Sequence, residues 1–173
     1  MKKYLLLLLP VVLFAFSIPE FRPVDKTDSV TFAIKNFGIN TKGEFQGLKG
    51  SIKWDAANPS SSSFDVSVDV NTINTAIDLR DQDLKEEKWF DASKYPTINF
   101  KSTNVTATNV TGDLTIKGVT KQVSFPFTVT SVASGYRFEG SFPLNRRDFG
   151  VGGSSFTLSD NVQVMLKIYA EQQ

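Results

Sequence analysis

The chain predicts an all-β fold of antiparallel strands, closed as a sandwich or a barrel. Three observations carry this expectation. First, apolar residues recur on every second position. Phe64, Val66, Val68 and Val70 alternate with Asp65, Ser67 and Asp69, and Val123, Phe125, Phe127 and Val129 alternate with Ser124, Pro126 and Thr128. Val162, Val164, Leu166 and Ile168 do the same with Gln163, Met165 and Lys167. Strand side chains point to opposite faces in turn, so each run has one apolar and one wetter face. Second, the connections around Gly118 and Ser134-Gly135 are short, which favours antiparallel neighbours. Third, one long stretch, Asn74 to Phe90, loses the period of two and gains charge.

Residues 1–17 read as a signal peptide. Lys2 and Lys3 supply the positive start, Leu5 to Phe16 is apolar but interrupted by Pro10, and Ala15-Phe16-Ser17 suits cleavage near Ser17. The apolar stretch falls short of the roughly 20 residues that a membrane span needs, and no later segment could span. The expected location is the periplasm or the exterior. The chain has no Cys, so a lipid-modified cysteine, disulfides and thiolate metal sites are excluded. Residues 18–173 are then one domain, large enough to bury its own core.

Eight strands are expected in that domain. Ser29 to Lys35 has Val30, Phe32 and Ile34 on one face, and Gly43 to Asp55 carries bends or bulges at Gly43, Gly47 and Gly50. Asn58-Pro59 and the following serines turn the chain into Ser63 to Val70. The charged stretch Asn74 to Phe90 is expected as a helix of roughly three turns. Asn74 or Thr75 would cap it, and Ile77, Leu84 and Trp89 would share one face. Thr97 to Thr103, Asn109 to Lys117, Thr120 to Ser131, Tyr136 to Leu144 and Asn161 to Ala170 complete the set. Asn36 to Lys42 and the Gly/Ser-rich Arg146 to Asp160 are irregular. A barrel of about eight strands is either filled by its side chains or holds one small ligand, as lipocalins do. Periodicity leaves both open.

Composition removes several functions. Loss of Lys2 and Lys3 moves the net charge from +1 to −1, and only Arg146-Arg147 forms a further basic pair. Such a chain is unsuited to nucleic acid. With no His and no Cys there is no Ser-His-Asp triad, no Cys-His pair, no usual zinc site and no haem ligation by those residues. No cofactor is expected. Carboxylates remain: Asp81, Asp83 or Glu86 could serve a hydrolase if two of them faced one pocket. With Asp78 and Glu87 they also suit the wet face of a helix, the favoured reading. Asp65 and Asp69 read as a solvated strand face. The sequons at Asn104 and Asn109 read as chance.

Two features keep two meanings. Arg146-Arg147-Asp148-Phe149-Gly150 is either a loop, with Asp148 bonded to an Arg or to backbone and Phe149 plugging the barrel end, or a charged rim beside an apolar cavity. The many Phe residues in strands either fill a core or line a cavity.

The ordered motifs of the chain resemble the YceI-like family, the polyisoprenoid-binding, lipocalin-like secreted proteins of bacteria. The resemblance runs from about Asp28 to Ala170. It rests on Val30 to Ile39, Gly43 to Gly50, Arg80-Asp81 with Leu84, Trp89-Phe90-Asp91 and Tyr95 to Ser102. Thr111 to Lys121, Asn145-Arg146, Asp148-Phe149-Gly150 and Leu158-Ser159-Asp160 continue it. It implies an extended eight-stranded antiparallel lipocalin-like β-barrel with a helical insertion between strands three and four. It also implies an apolar tunnel for a long-chain lipid: an isoprenoid quinone, a polyprenyl chain or a fatty-acid derivative. Binding would be non-catalytic. The expected lining is Phe32, Ile34, Phe45, Val66, Val68, Phe100, Leu114, Phe125, Phe127, Phe138 and Phe142, with Arg146, Arg147 and Asp148 shaping a rim. A homodimer stays open. Where family members often carry His, this chain has Asn36, Asp83 and Lys117. A histidine-based site is therefore excluded, whereas an apolar lining is untouched.

Overall fold

A computed structural model describes residues 18–172. The expected signal peptide, residues 1–17, lies outside the described residues. Strands β1 (Glu20–Val24), β2 (Val30–Asn36), β3 (Ile39–Lys53) and β4 (Ser63–Asn74) precede the helix α1 (Asp78–Lys85). After it come β5 (Thr97–Val105), β6 (Asn109–Ile116), β7 (Val119–Val132), β8 (Gly135–Asn145) and β9 (Leu158–Gln172).

All pairings are antiparallel, and they close a barrel. Successive strands pair from β2 to β9, and β2 pairs with β9 as well as with β3. β1 pairs with the far ends of the same two neighbours, at Phe21↔Ile52 and Pro23↔Ala170. β1 and β2 thus lie end to end in one of eight strand positions. The sequence did not mark β1: five residues with one buried side chain, Phe21, and a proline make no alternating pattern. Between the two, the Asp25 carboxylate accepts bonds from the N–H groups of Gly47 and Leu48 (2.9 and 3.1 Å). Those donors are freed where the β3–β4 register shifts between Gln46 and Lys49. Gly47 lies in left-handed territory there (φ 71°), as a bulged strand requires, whereas Gly43 and Gly50, also expected at bends or bulges, pair in regular register with Phe32 and Val66.

The insertion between β4 and β5 has the expected place and a different form. Its helix has 8 residues rather than three turns, and Ile77 at its N-cap makes no side-chain capping bond. Thr75 turns inward instead, its N–H and hydroxyl both donating to the Asp81 carboxylate. Asp81, expected on the wet face, is therefore buried, whereas Ile77 is exposed. Trp89 lies beyond the helix, its Nε1 donating to Asp83 Oδ2 at 2.9 Å.

The interior is solid at one end and hollow at the other. At the solid end Trp54 packs edge-on against Phe127 and Phe138 (centroids 5.9 and 5.5 Å). Phe64 meets the same two rings at 5.8 and 5.4 Å, and Phe21 meets Tyr136 at 5.3 Å. Edge-to-face packing at these separations suits aromatic quadrupoles.

Candidate functional site

Above that aromatic floor lies a cavity of about 560 Å³. Its walls are the inward faces of the strands. Phe32 and Ile34 come from β2, Phe45 from β3, Val66 and Val68 from β4, Phe100 from β5, Leu114 from β6, Phe125 from β7 and Phe142 from β8. Register explains the gathering. Val66↔Phe100, Phe100↔Leu114 and Phe32↔Val164 are paired positions, and paired residues share a face. A Cβ at Gly43 would overlap the Phe32 ring, so the glycine gives that ring its place in the wall. Phe125 stacks on Phe142 (4.3 Å, 15° between planes) and leans on Phe100 (5.7 Å). Beneath this group is a void of about 70 Å³, which also touches Phe127 and Phe138.

Phe127 and Phe138 were expected in the tunnel wall; they lie below it, in the floor. Their alternation matches that of Phe125 and Phe142, and only their height in the barrel differs. Other lining residues were not singled out. Val162, Val164 and Leu166 of β9 line the cavity and were visible in the alternation. Leu84, Trp89 and Phe90 of the insertion also line it; Leu84 and Trp89 were expected on one helical face, whereas nothing in the sequence pattern marked Phe90.

Polar groups sit at the end of the barrel where β2 meets β3 and α1 lies. Asn36, Thr41, Thr75, Arg80, Asp83, Lys88, Ser154, Ser155 and Thr157 line the cavity there. The Arg80 guanidinium donates to the Thr75 hydroxyl (2.7 Å) and carbonyl (2.6 Å). Lys117 Nζ donates to the carbonyls of Glu87 (2.7 Å) and Gly150 (3.0 Å), tying the insertion to the β8–β9 connection.

Arg146 lines the cavity but is occupied by the fold. It is 4% exposed, and it donates to the carbonyls of Ser159 (3.0 Å), Val151 (2.8 Å) and Gly153 (2.9 Å) and to Asp160 Oδ1 (2.9 Å). Its guanidinium also lies over the Trp89 ring at 5.9 Å. Burial lowers its pKa, Asp160 raises it and the adjacent Arg147 lowers it. Arg146 thus holds the β8–β9 connection across the mouth. Arg147 and Asp148 were expected at the rim as site residues; both are exposed and neither lines the cavity. The carboxylate that meets the arginines is Asp160, with Arg147 at 3.5 Å, and not Asp148. Phe149 is buried and lines the cavity, as a plug would.

The paired carboxylates that hydrolysis needs are not assembled. Asp83 lines the cavity, Asp81 is buried against Thr75, and Glu86 is exposed at the helix end. Among the described residues no group of three His, Cys, Asp or Glu could hold a metal ion. Asp65 pairs with Lys101 at the surface (3.6 Å).

Comparison with known proteins supplies the family. Residues 23–170 match the YceI-like domain. A UPF0312 protein of Pseudomonas aeruginosa is 33% identical over 155 residues, covering 83% of this chain and 81% of its own length. The crystal structure of Burkholderia cenocepacia BcnA superposes with a TM-score of 0.75 at 28% identity, covering 80% of this chain and 93% of its own. A polyisoprenoid binding domain from Saccharophagus degradans shares the fold alone. Its TM-score is 0.69 at 16% identity, over 91% of this chain and all of its own. The closed eight-position barrel, its helical insertion and this match over nearly the whole described chain make the protein a member of the YceI-like domain family.

Proposed function

We propose that the protein is a non-catalytic carrier or store for a long-chain apolar lipid, an isoprenoid quinone, a polyprenyl chain or a fatty-acid derivative. The observation that carries this reading is the cavity itself: about 560 Å³ of space walled mainly by Phe, Val, Leu and Ile, with its polar residues, Thr31 apart, gathered at its mouth. That volume lies within the roughly 300–1,000 Å³ of small-molecule sites. Apolar surface gains about 25 cal/mol for each Å² removed from water, so an extended hydrocarbon needs no deep polar anchor. The polar mouth suits a head group that stays wet, and Thr41, Thr157 and Asn36 offer it neutral hydrogen bonds. The name of the Saccharophagus degradans neighbour, a polyisoprenoid binding domain, supports the prenyl class. The signal-like start of the chain supports a periplasmic or secreted location.

Native mass spectrometry of protein purified from its own compartment tests this. One long-chain lipid per chain is the expected result, and the same spectrum reads the oligomeric state. Protein that arrives empty and retains no added geranylgeraniol would overturn the proposal.

A further inference from the structure

The mouth of the cavity is surrounded by large apolar side chains left in water. Six such residues are exposed among the described residues: Phe37, Ile39, Ile77, Leu79, Val119 and Phe156. All six lie in or beside connections at the mouth end, between β2 and β3, β4 and β5, β6 and β7, and β8 and β9. The connections at the opposite end carry none of them. Scattered exposed apolar residues are ordinary, but a set confined to one end is not.

Two of these residues are placed against local preference or in continuity with the cavity. Phe37 and Gly38 form a two-residue hairpin turn with both φ positive (50° and 78°), where Asn-Gly is favoured and a bulky residue is not. Its N–H donates to Thr157 (2.8 Å), yet its side chain is 76% exposed. The equivalent turn at Lys117-Gly118 has the same geometry (50° and 74°), but Lys117 bonds two carbonyls there. No such contact accounts for Phe37, and departures of this kind concentrate at functional sites. Ile39 shares the inward face of β3 with Thr41 and Phe45 and is nonetheless 72% exposed. The apolar face of the cavity therefore runs out over its lip. Phe156 stands in solvent between Ser155 and Thr157, which both line the cavity.

We infer that this rim docks on a lipid bilayer, with Phe37, Ile39, Leu79 and Phe156 entering the boundary between head groups and acyl chains. The inference rests on the lipid-carrier reading above. A long-chain lipid resides in a bilayer before capture, and a seated rim lets it enter the cavity without crossing water. Exposed charges around the rim are mixed, with Lys35, Lys42, Lys88 and Arg147 beside Asp78, Glu86, Glu87 and Asp148. Docking is thus driven by apolar insertion and does not need anionic lipid.

The test uses the purified protein and a Phe37→Asn/Phe156→Ser variant. Asn suits the left-handed turn, and neither position lines the cavity, so the variant keeps the fold and the lining. Wild type is expected to co-sediment with phosphatidylcholine vesicles at low and high salt, and the variant to bind about tenfold more weakly or less. Both proteins should take up geranylgeraniol equally from detergent micelles, while transfer from vesicles slows about tenfold in the variant. Wild type that stays in the supernatant, equal vesicle binding by both proteins, or binding only to anionic vesicles and lost in salt would each overturn the docking inference. Uptake from micelles without vesicle binding leaves the carrier reading standing and removes the docking. Vesicle binding with no uptake by either route removes the carrier reading, and with it the purpose of the rim.

Discussion

Filling the cavity from its own wall distinguishes a hollow barrel from a solid one. Val164 of β9 faces the cavity and is paired with Phe32 on one side and Phe142 on the other. Val164→Phe adds about four carbons, each worth about 0.8 kcal/mol when removed from water. That sums to about 3 kcal/mol at most, less about 1 kcal/mol for the rotamer freedom the ring loses. In a hollow interior the lipid-free variant should be as stable as wild type or up to about 2 kcal/mol more stable. In a filled core the same change overpacks and costs about 1–3 kcal/mol. Urea unfolding of delipidated proteins reads the difference as a shift of the midpoint at constant slope. The same variant should take up less geranylgeraniol, because the ring occupies the ligand's space. A destabilisation of about 1–3 kcal/mol would refute the reasoning, since it would mean that no room exists in solution.

Other substitutions separate the cavity from its supports. Phe138→Ala removes a ring of the aromatic floor and should cost about 3–5 kcal/mol in urea unfolding, with lipid uptake at the wild-type level while the protein is folded. Arg146→Met removes the four bonds by which the guanidinium holds the β8–β9 connection and should cost about 2–4 kcal/mol. Limited proteolysis should then cut between Val151 and Asp160 before it cuts the barrel.

Much of the fold was legible along the chain. The eight alternating segments, the helical insertion after β4 and the bulge at Gly47 all follow from local chain geometry, and local geometry is written in neighbouring residues. The missing His and Cys limited the chemistry before any fold was known. Alternation also gave the face of nearly every cavity residue on a strand. It could not give the height of a residue along the barrel. Phe125 and Phe127 are successive members of one apolar face, yet one walls the cavity and the other belongs to the floor. Which rings interlock depends on the stagger between strands distant in sequence and on where Trp54 and Phe64 reach. The same is true of charge. Asp81 is buried because Thr75 bends back to it, and Arg146 is committed to carbonyls up to 13 residues away. The exposed rim was equally invisible, because Phe37, Leu79 and Phe156 come to one end of the barrel only when their three connections meet there. The sequence by itself determined that apolar faces must enclose an interior. Tertiary packing decided that one end of this interior is solid, that the other encloses a cavity, and which end is open.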